Sequence, residues 1–323
     1  MSSTHTTANP PPVTQEPTLA ITACDSFEGQ TLALALADYL EHKQKKSSSR
    51  DDHDKPSPPP PVVPLLVCLA RDKSKCGDLN KRGSCKVVQI SYDDTNTIAI
   101  ALRGIQAVVF VPEIEPQRVD WADRMVDAMK QENVMRCVAL SCIGTDAPDK
   151  DQLDRFRRVE DRIKKDLPRW TILREGFPFQ ILFHWIPMVQ DQGVLGMPIK
   201  KDVEFAPIDI TDLGRALISV TFPSKHHPGG GDYHHEIQMG LAKLDIAGHA
   251  HTHTHACGEH EPTPVVIPVT PMTAVAPTAG PGDGIDRHDG QTYTLTGPET
   301  VTGPKLADEL TRALQSDKKH KDK

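Results

Sequence analysis

Residues 18–40 combine a short apolar run, a turn of small residues and a long apolar-rich helix. In such strand–turn–helix units the turn usually carries three glycines, which lie against the pyrophosphate of a dinucleotide. This turn keeps only Gly29, while Ala23 and Ser26 stand at the other two glycine positions. The stretch therefore predicts the first unit of a dinucleotide-binding sheet with an altered turn.

The rest of the chain repeats the alternation of apolar strands with helices of about ten residues. This repetition predicts an α/β fold with a doubly wound parallel sheet. Residues 177–189 are apolar and aromatic, and we expect them to pack over the carboxyl edge of that sheet. Strands are predicted at 62–70, 85–90, 105–111, 134–140, 170–174, 203–208 and 291–296, and helices at 94–102, 117–132, 149–166, 211–220 and 303–314.

Four segments lack the composition of a packed core. They are predicted to be a disordered leader (1–17), a flexible proline-rich loop (41–63), a His/Pro-rich disordered insertion (223–290) and a basic tail (316–323). The predicted core is therefore 18–222 plus 291–315, with a smaller carboxyl-terminal region and two low-complexity insertions.

Composition limits the possible compartments and partners. The net charge of −7 gives no basic face for nucleic acid, and no apolar run reaches the ~18 residues of a membrane span. The first 17 residues lack the pattern of a secretory signal. Seven scattered cysteines fit reduced thiols better than a disulfide framework. We expect a cytoplasmic protein, with the nucleus as a second compartment, and no membrane or direct nucleic-acid contact.

Four segments resemble the NmrA-like family of the atypical short-chain dehydrogenase/reductase superfamily. Residues 138–144 resemble its strand-five signature, and 170–177 are similar to its "TILRPGF" segment, with Glu175 where proline is usual. Residues 208–214 resemble "VDVRDIG", and 293–299 match "YTLTGPE". The resemblance implies an NAD(P)-binding Rossmann domain. Family members include redox-responsive regulators, and the wider superfamily includes quinone reductases and isoflavone-reductase-like enzymes.

The resemblance also exposes a missing catalytic pair. Short-chain reductases generally use Tyr-x-x-x-Lys, and the matching positions here hold Asp154 and Arg158. Such a pair forms an ordinary ion pair on a helix, and arginine does not shuttle protons at neutral pH. No catalytic residue is therefore assigned.

The sequence contains features that favour cofactor binding and features that oppose it. The altered turn keeps the glycine that packs helix on strand, but Asp25 and Glu28 add carboxylates where a pyrophosphate would lie. Arg71 follows the second strand, where an arginine favours the 2′-phosphate of NADP, although a solvated loop charge explains it equally well. The candidate cofactor-binding residues are Thr22, Ala23, Ser26, Phe27, Gly29, Arg71, Lys75, Val111, Ser141 and Cys142.

Two further groups of residues suggest chemistry. Cys24 lies near a helix N-terminus, which lowers a thiol pKa, so a redox-sensing thiol is an alternative to a buried packing residue. The insertion carries closely spaced histidines, whose ligand chemistry suits Zn, Ni or Cu without the spacing of a structural zinc site. The candidate ligands for a divalent metal are His249, His251, His253, His255, Cys257 and His260.

Three functions fit these patterns. The first is a weakly catalytic or non-catalytic protein that responds to NADP(H) and regulates a partner protein. The second is an NADPH-dependent reductase of a quinone or similar small carbonyl compound. The third is a scaffold that has lost the cofactor and acts through its insertions. The missing tyrosine and lysine favour the first or third, and Arg71 favours the first.

Overall fold

An eight-stranded sheet runs through the part of the chain that the computed structural model describes, residues 18–48, 65–147, 151–197, 200–222, 265–268 and 287–321. Its strands are β1 (Leu19–Ile21), β2 (Leu66–Ala70), β3 (Cys85–Gln89), β4 (Ala107–Phe110), β5 (Arg136–Cys142), β6 (Trp170–Glu175), β7 (Val265–Pro268) and β8 (Gln291–Thr296). They lie in the order β3-β2-β1-β4-β5-β6-β8-β7, and every neighbouring pair is parallel except β7 with β8. The predicted doubly wound parallel sheet is confirmed.

Helices cover both faces of this sheet. They are α1 (Phe27–Ser48), α2 (Thr95–Leu102), α3 (Arg118–Gln131), α4 (Asp151–Asp166), α5 (Ile186–Gln192), α6 (Ile210–Thr221) and α7 (Gly303–Lys321). Short 3₁₀ turns occupy Lys73–Lys75, Leu79–Lys81 and Phe179–Trp185. Among the described helices, none combines the length and the apolar character needed to cross a bilayer.

Each buried strand contributes to two cores, because successive side chains point to opposite faces. In β2, Leu66 and Cys68 pack with α1 and α6, whereas Val67 and Leu69 pack with α2 and α3. All five residues of β2 are buried. This explains why the strand is almost continuously apolar rather than alternating.

Helix α1 extends eight residues into the loop that the sequence predicts at 41–63. Arg82 holds this extension, since its guanidinium pairs with Asp38 and lies 3.2 Å from the Glu41 carboxylate. Ser84 also donates a hydrogen bond to Glu41. The remainder of the predicted loop, the leader 1–17 and all six candidate metal ligands lie outside the described residues.

Other boundaries also differ from the sequence predictions. Residues 203–208 make only isolated bridges, at Phe205 and Ile208, because Pro207 has no amide hydrogen to donate to a ladder. Strand β7 lies within the insertion predicted to be disordered and pairs with the otherwise open edge of β8. Helix α7 continues to Lys321, through most of the predicted tail. Helix α6 begins at Ile210, one residue before the predicted start, and its N-cap is Asp209.

Helix α1 approaches β1 more closely than any side chain at Gly29 would permit. A β-carbon at Gly29 would lie 2.1 Å from the carbonyl oxygen of Ala23. Because that oxygen belongs to the backbone, the helix itself would have to move. Gly29 therefore has the helix-on-strand packing role that the sequence predicts.

We expect Gly29→Ala to lower the free energy of unfolding by at least ~1–3 kcal/mol, the usual cost of overpacking. Urea denaturation followed by circular dichroism measures this change. Gly77→Ala is the matched control, because a β-carbon there would meet only the Gln30 side-chain nitrogen at 4.0 Å. Equal stabilities of the two variants would contradict the packing role of Gly29.

A buried ion pair fixes α4 to the centre of the sheet. Glu160, 2% exposed, accepts hydrogen bonds of 2.8 Å from Nε and Nη2 of Arg174 on β6. Lys164 Nζ lies 2.9 Å from the same carboxylate. Burial alone would raise the pKa of Glu160, but its hydrogen bonds, chiefly those from Arg174 and Lys164, hold the pKa below its usual value.

Removing this charge should be costly, since Arg174 would remain buried with only the exposed Asp146 carboxylate, 3.1 Å from its Nη1, as an anionic partner. We expect Glu160→Gln to reduce the free energy of unfolding by about 3 kcal/mol or more. The adjacent, exposed Asp161→Asn variant should stay within ~0.5 kcal/mol of the parent. Chemical denaturation of both variants at pH 7 tests this, and an equally small effect at Glu160 would refute the structural role of the pair.

Candidate functional site

The strand order reverses between β1 and β4, and ligands of doubly wound sheets bind beyond the carboxyl ends of the strands at such a point. Thr22 follows β1 and Val111 follows β4. The Thr22 hydroxyl donates to the Val111 carbonyl oxygen and accepts from the Val111 amide, both at 2.9 Å. Both residues are almost fully buried. These two candidate cofactor contacts therefore join the strands beneath the crevice, and their side chains do not face it.

Ala23 preserves the backbone shape of a glycine turn. Its φ is +54°, in the left-handed region that glycine adopts readily and that other residues adopt at a cost of roughly 1–2 kcal/mol. Buried contacts around Ala23, which is 2% exposed, hold this conformation. The tight turn thus survives the loss of the first glycine.

Ser26 occupies the second glycine position and caps α1. Its hydroxyl accepts from the Gly29 amide at 3.0 Å and donates to the Ala23 carbonyl oxygen at 2.8 Å. Free amides at a helix N-terminus are the groups that bind phosphate. The Ser26 side chain therefore occupies one donor that a pyrophosphate would otherwise use, while Phe27, beside it, stays 36% exposed.

Two carboxylates flank this turn. Asp25 Oδ2 accepts from the Asp72 amide at 3.2 Å, which joins the turn to the end of β2, and Asp25 Oδ1 is buried without a hydrogen-bond partner. Glu28 lies within hydrogen-bonding reach of Glu175 at the end of β6. Burial, reinforced by the charge of Glu28, raises the pKa of Glu175 well above its usual value. Glu175 therefore favours its protonated form beside the second carboxyl group of Glu28.

Arg71, the candidate contact for a 2′-phosphate, is enclosed by acids and an aromatic ring. Its Nε lies 3.4 Å from Glu113 Oε2, and its Nη2 lies 3.4 Å from Glu115 Oε1. The guanidinium carbon lies 4.9 Å from the ring centre of Trp121, on which Tyr92 stacks at 4.8 Å. We name Arg71, Glu113, Glu115 and Trp121 the arginine cluster. Lys75 lies in the following 3₁₀ turn and is exposed.

The sequence analysis missed the acids of this cluster. Glu113 is 6% exposed, and burial raises its pKa to about 7 against the opposing charge of Arg71. One signal was available, because Glu113 comes directly after Val111 and Pro112 at the end of an apolar strand. In a parallel sheet that position lies on the same edge as Arg71.

Ser141 and Cys142 follow the central strand β5. The Ser141 hydroxyl is buried and donates to Glu160 Oε1 at 2.7 Å, so it supports the ion pair that holds α4. Cys142 is half-buried, and burial raises its pKa although Arg118 acts in the opposite direction. Its thiol therefore stays protonated at neutral pH.

The structure does not support a reactive thiol at Cys24. The expected helix-terminus effect is outweighed, because the side chain is fully buried and burial raises its pKa. The thiol also donates to the Ile21 carbonyl oxygen at 3.4 Å. The packing interpretation of Cys24 is the one that fits.

The helix that would carry a Tyr-x-x-x-Lys pair is α4. Asp154 pairs with Arg157, one residue earlier than the Arg158 partner that the sequence suggested. The chain has four tyrosines, none of them in α4. Within the described ranges, no group of three His, Cys, Asp or Glu side chains is arranged to hold a metal ion.

Comparison with known proteins agrees with this architecture. Residues 65–178 match the sequence model of a family described as NAD(P)H-binding. The NAD(P)H azoreductase of Xenophilus azovorans is 26% identical over 163 residues, covering 49% of this chain and 55% of the azoreductase. The chain spans about half the length of the curated relatives it matches.

Two solved structures share the fold. An NADPH-dependent quinone oxidoreductase of Escherichia coli, complexed with NADPH, superposes with a TM-score of 0.50 at 19% identity, over 64% of this chain and 66% of that chain. A triphenylmethane reductase of Citrobacter sp., complexed with NADP(H), gives 0.51 at 12% identity, over 65% and 67%. The chain therefore has the Rossmann-like fold of NAD(P)-binding reductases, and a segment of it matches an NAD(P)H-binding family.

Proposed function

We propose that this chain binds NADP(H) at the carboxyl edge of its sheet and acts as a cofactor-responsive regulatory protein. The observation that carries the proposal is the left-handed conformation of Ala23 opposite Gly29. This turn keeps the shape of a dinucleotide site after two of its glycines have been replaced. The strain at Ala23 is otherwise unnecessary for a strand-to-helix connection.

The residues at this edge fit a dinucleotide in shape. The backbone of the turn, from Ala23 to Gly29, would hold the pyrophosphate at the N-terminus of α1, and Arg71 would hold a 2′-phosphate. When bound, the nicotinamide would supply hydride chemistry. The carboxylates of Glu28, Asp25 and Glu113 oppose a polyanion, so we expect weak binding.

Helix α4 lacks the Tyr-x-x-x-Lys pair of short-chain reductases, which favours a regulatory role over their chemistry. Asp154 and Arg157 pair with each other there, and neither an aspartate nor an arginine replaces the tyrosine as a proton donor at neutral pH. Binding would instead change the charge of an edge that is rich in carboxylates. A partner protein that contacts this edge would sense the bound cofactor.

A second candidate is a reductase that transfers hydride directly to a flat acceptor such as a quinone. Phe177 follows β6 and lies 5.8 Å from the ring of Trp185 and 5.7 Å from that of Phe205, measured between ring centres. This aromatic group adjoins Glu175 at the carboxyl edge. The relatives named above are reductases, which favours the same alternative.

Calorimetric titration with NADP, NADPH, NAD and NADH tests the proposal. We expect saturable binding of at least one nucleotide with a dissociation constant between about 1 µM and 1 mM, or roughly 4–8 kcal/mol. No heat and no thermal shift at millimolar nucleotide would refute both candidates and leave the cofactor-free scaffold. If binding is found, NADPH oxidation with a simple quinone separates the reductase from the regulator.

Glu28→Gln should tighten the binding of all four nucleotides by a similar factor, from a few-fold to about tenfold, because it removes a carboxylate beside the pyrophosphate position. The exposed Asp161→Asn variant is the charge-matched control and should leave the affinities unchanged. Unchanged or weaker binding by Glu28→Gln would argue that the pyrophosphate does not lie at this turn.

A further inference from the structure

Glu113 is a buried carboxyl group that pairs with the partly exposed Arg71. The Glu113 side chain is 5% exposed, whereas that of Arg71 is 36% exposed and reaches the surface at the end of β2. Two contacts hold the Arg71 guanidinium in place. Its Nε lies 3.4 Å from Glu113 Oε2, and the guanidinium lies over the ring of Trp121. A ligand phosphate approaching Arg71 from solvent must therefore compete with a carboxylate that solvent does not screen.

We propose that Glu113 makes the discrimination between NADP(H) and NAD(H) depend on pH, because the ionised Glu113 carboxylate competes with a 2′-phosphate for Arg71 and the protonated carboxyl group does not. The inference rests on the proposed cofactor site. It adds a specificity-determining residue that lies behind the arginine, on a neighbouring strand end.

The groups around Glu113 explain why its proton is labile near neutrality. Its pKa of about 7 is a net result, because burial raises it most, Arg71 lowers it, and Asp25 and Glu115 raise it. The Tyr92 phenol also faces this carboxyl, and burial raises its pKa, so it remains neutral. From α3, Arg118 donates its Nε to the backbone carbonyl oxygen of Glu113 at 2.7 Å.

The sign of the effect follows from linkage. A bound 2′-phosphate places negative charge beside Glu113 and raises its pKa above the value in the free protein. Binding of NADPH then takes up a proton at any pH between the two values, and affinity falls as pH rises through that window. Below about pH 7 the carboxyl is already protonated, so the dependence levels off. NADH lacks the 2′-phosphate and takes up no proton at this site.

The ratio of the two affinities isolates this effect. A change in the charge of Glu175 acts on the pyrophosphate that both nucleotides share, so it cancels in the ratio. Between pH 7 and 9 the 2′-phosphate stays dianionic, because its second pKa is about 6. A change in the ratio over this range therefore reports on the arginine cluster.

The experiment measures the dissociation constants of NADPH and NADH by calorimetry at pH 7, 8 and 9, at constant ionic strength. We expect the preference for NADPH to fall by up to about tenfold per pH unit, the limit for one proton. In Glu113→Gln the ratio should be independent of pH and remain at the level of the parent at pH 7. Titrations in buffers of different ionisation enthalpy should show that NADPH takes up more protons than NADH.

Glu115→Gln is the matched control, since it removes an exposed carboxylate from the same guanidinium. It should raise the preference for NADPH and keep its pH dependence. A ratio that is independent of pH in the parent, or still pH-dependent in Glu113→Gln, would overturn the inference while leaving the proposed function intact. Failure of both nucleotides to bind at every pH would overturn both.

A second measurement needs no nucleotide. Trp121 lies against Arg71, so the loss of the Glu113 charge should change its fluorescence with a midpoint near pH 7. Glu113→Gln should abolish that transition. A transition that persists unchanged in this variant would contradict the proposal even where binding is too weak to measure.

Discussion

The contact between Gly29 and the carbonyl of Ala23 determines where the first helix begins. No side chain fits there, so the N-terminus of α1 is held against the carboxyl end of β1. The reversal of strand order between β1 and β4 leaves a crevice beside this terminus, and the Thr22 hydroxyl closes the base of that crevice against Val111. Arg71, Glu113 and Glu175 reach the same edge because the strands before them are parallel.

At this edge of the sheet the backbone suits an anionic ligand, whereas the side-chain charges oppose one. The backbone keeps a tight turn with a left-handed alanine at Ala23, where a glycine is usual in dinucleotide-binding turns. The side chains make the edge acidic, with Asp25, Glu28, Glu113 and Glu175 close to the turn. Burial raises the pKa values of Glu113 and Glu175, which reduces the repulsion among these acids near neutral pH.

The sequence was informative where structure is local. Apolar runs located every strand of the parallel part of the sheet, and the helix predicted at 94–102 is present as α2, whose N-cap Asp94 accepts from the Asn96 amide at 3.1 Å. It was uninformative where structure depends on tertiary pairing. Strand β7 is too short to show a pattern, and the bridges of 203–208 depend on distant partners, Val301 for Phe205 and Pro178 for Ile208. The arginine cluster joins the ends of β2 and β4, residues more than forty positions apart, so spacing alone did not reveal it.

The two edge strands of the sheet, β3 and β7, carry features that disfavour pairing with another chain. At one margin, β3 carries the exposed Lys86, and a charge on an open strand disfavours pairing with another chain. At the other, β7 is four residues long and ends in Pro268, which has no amide hydrogen to offer. Within the described residues, neither edge strand presents a long, uncharged ladder of backbone groups to another chain.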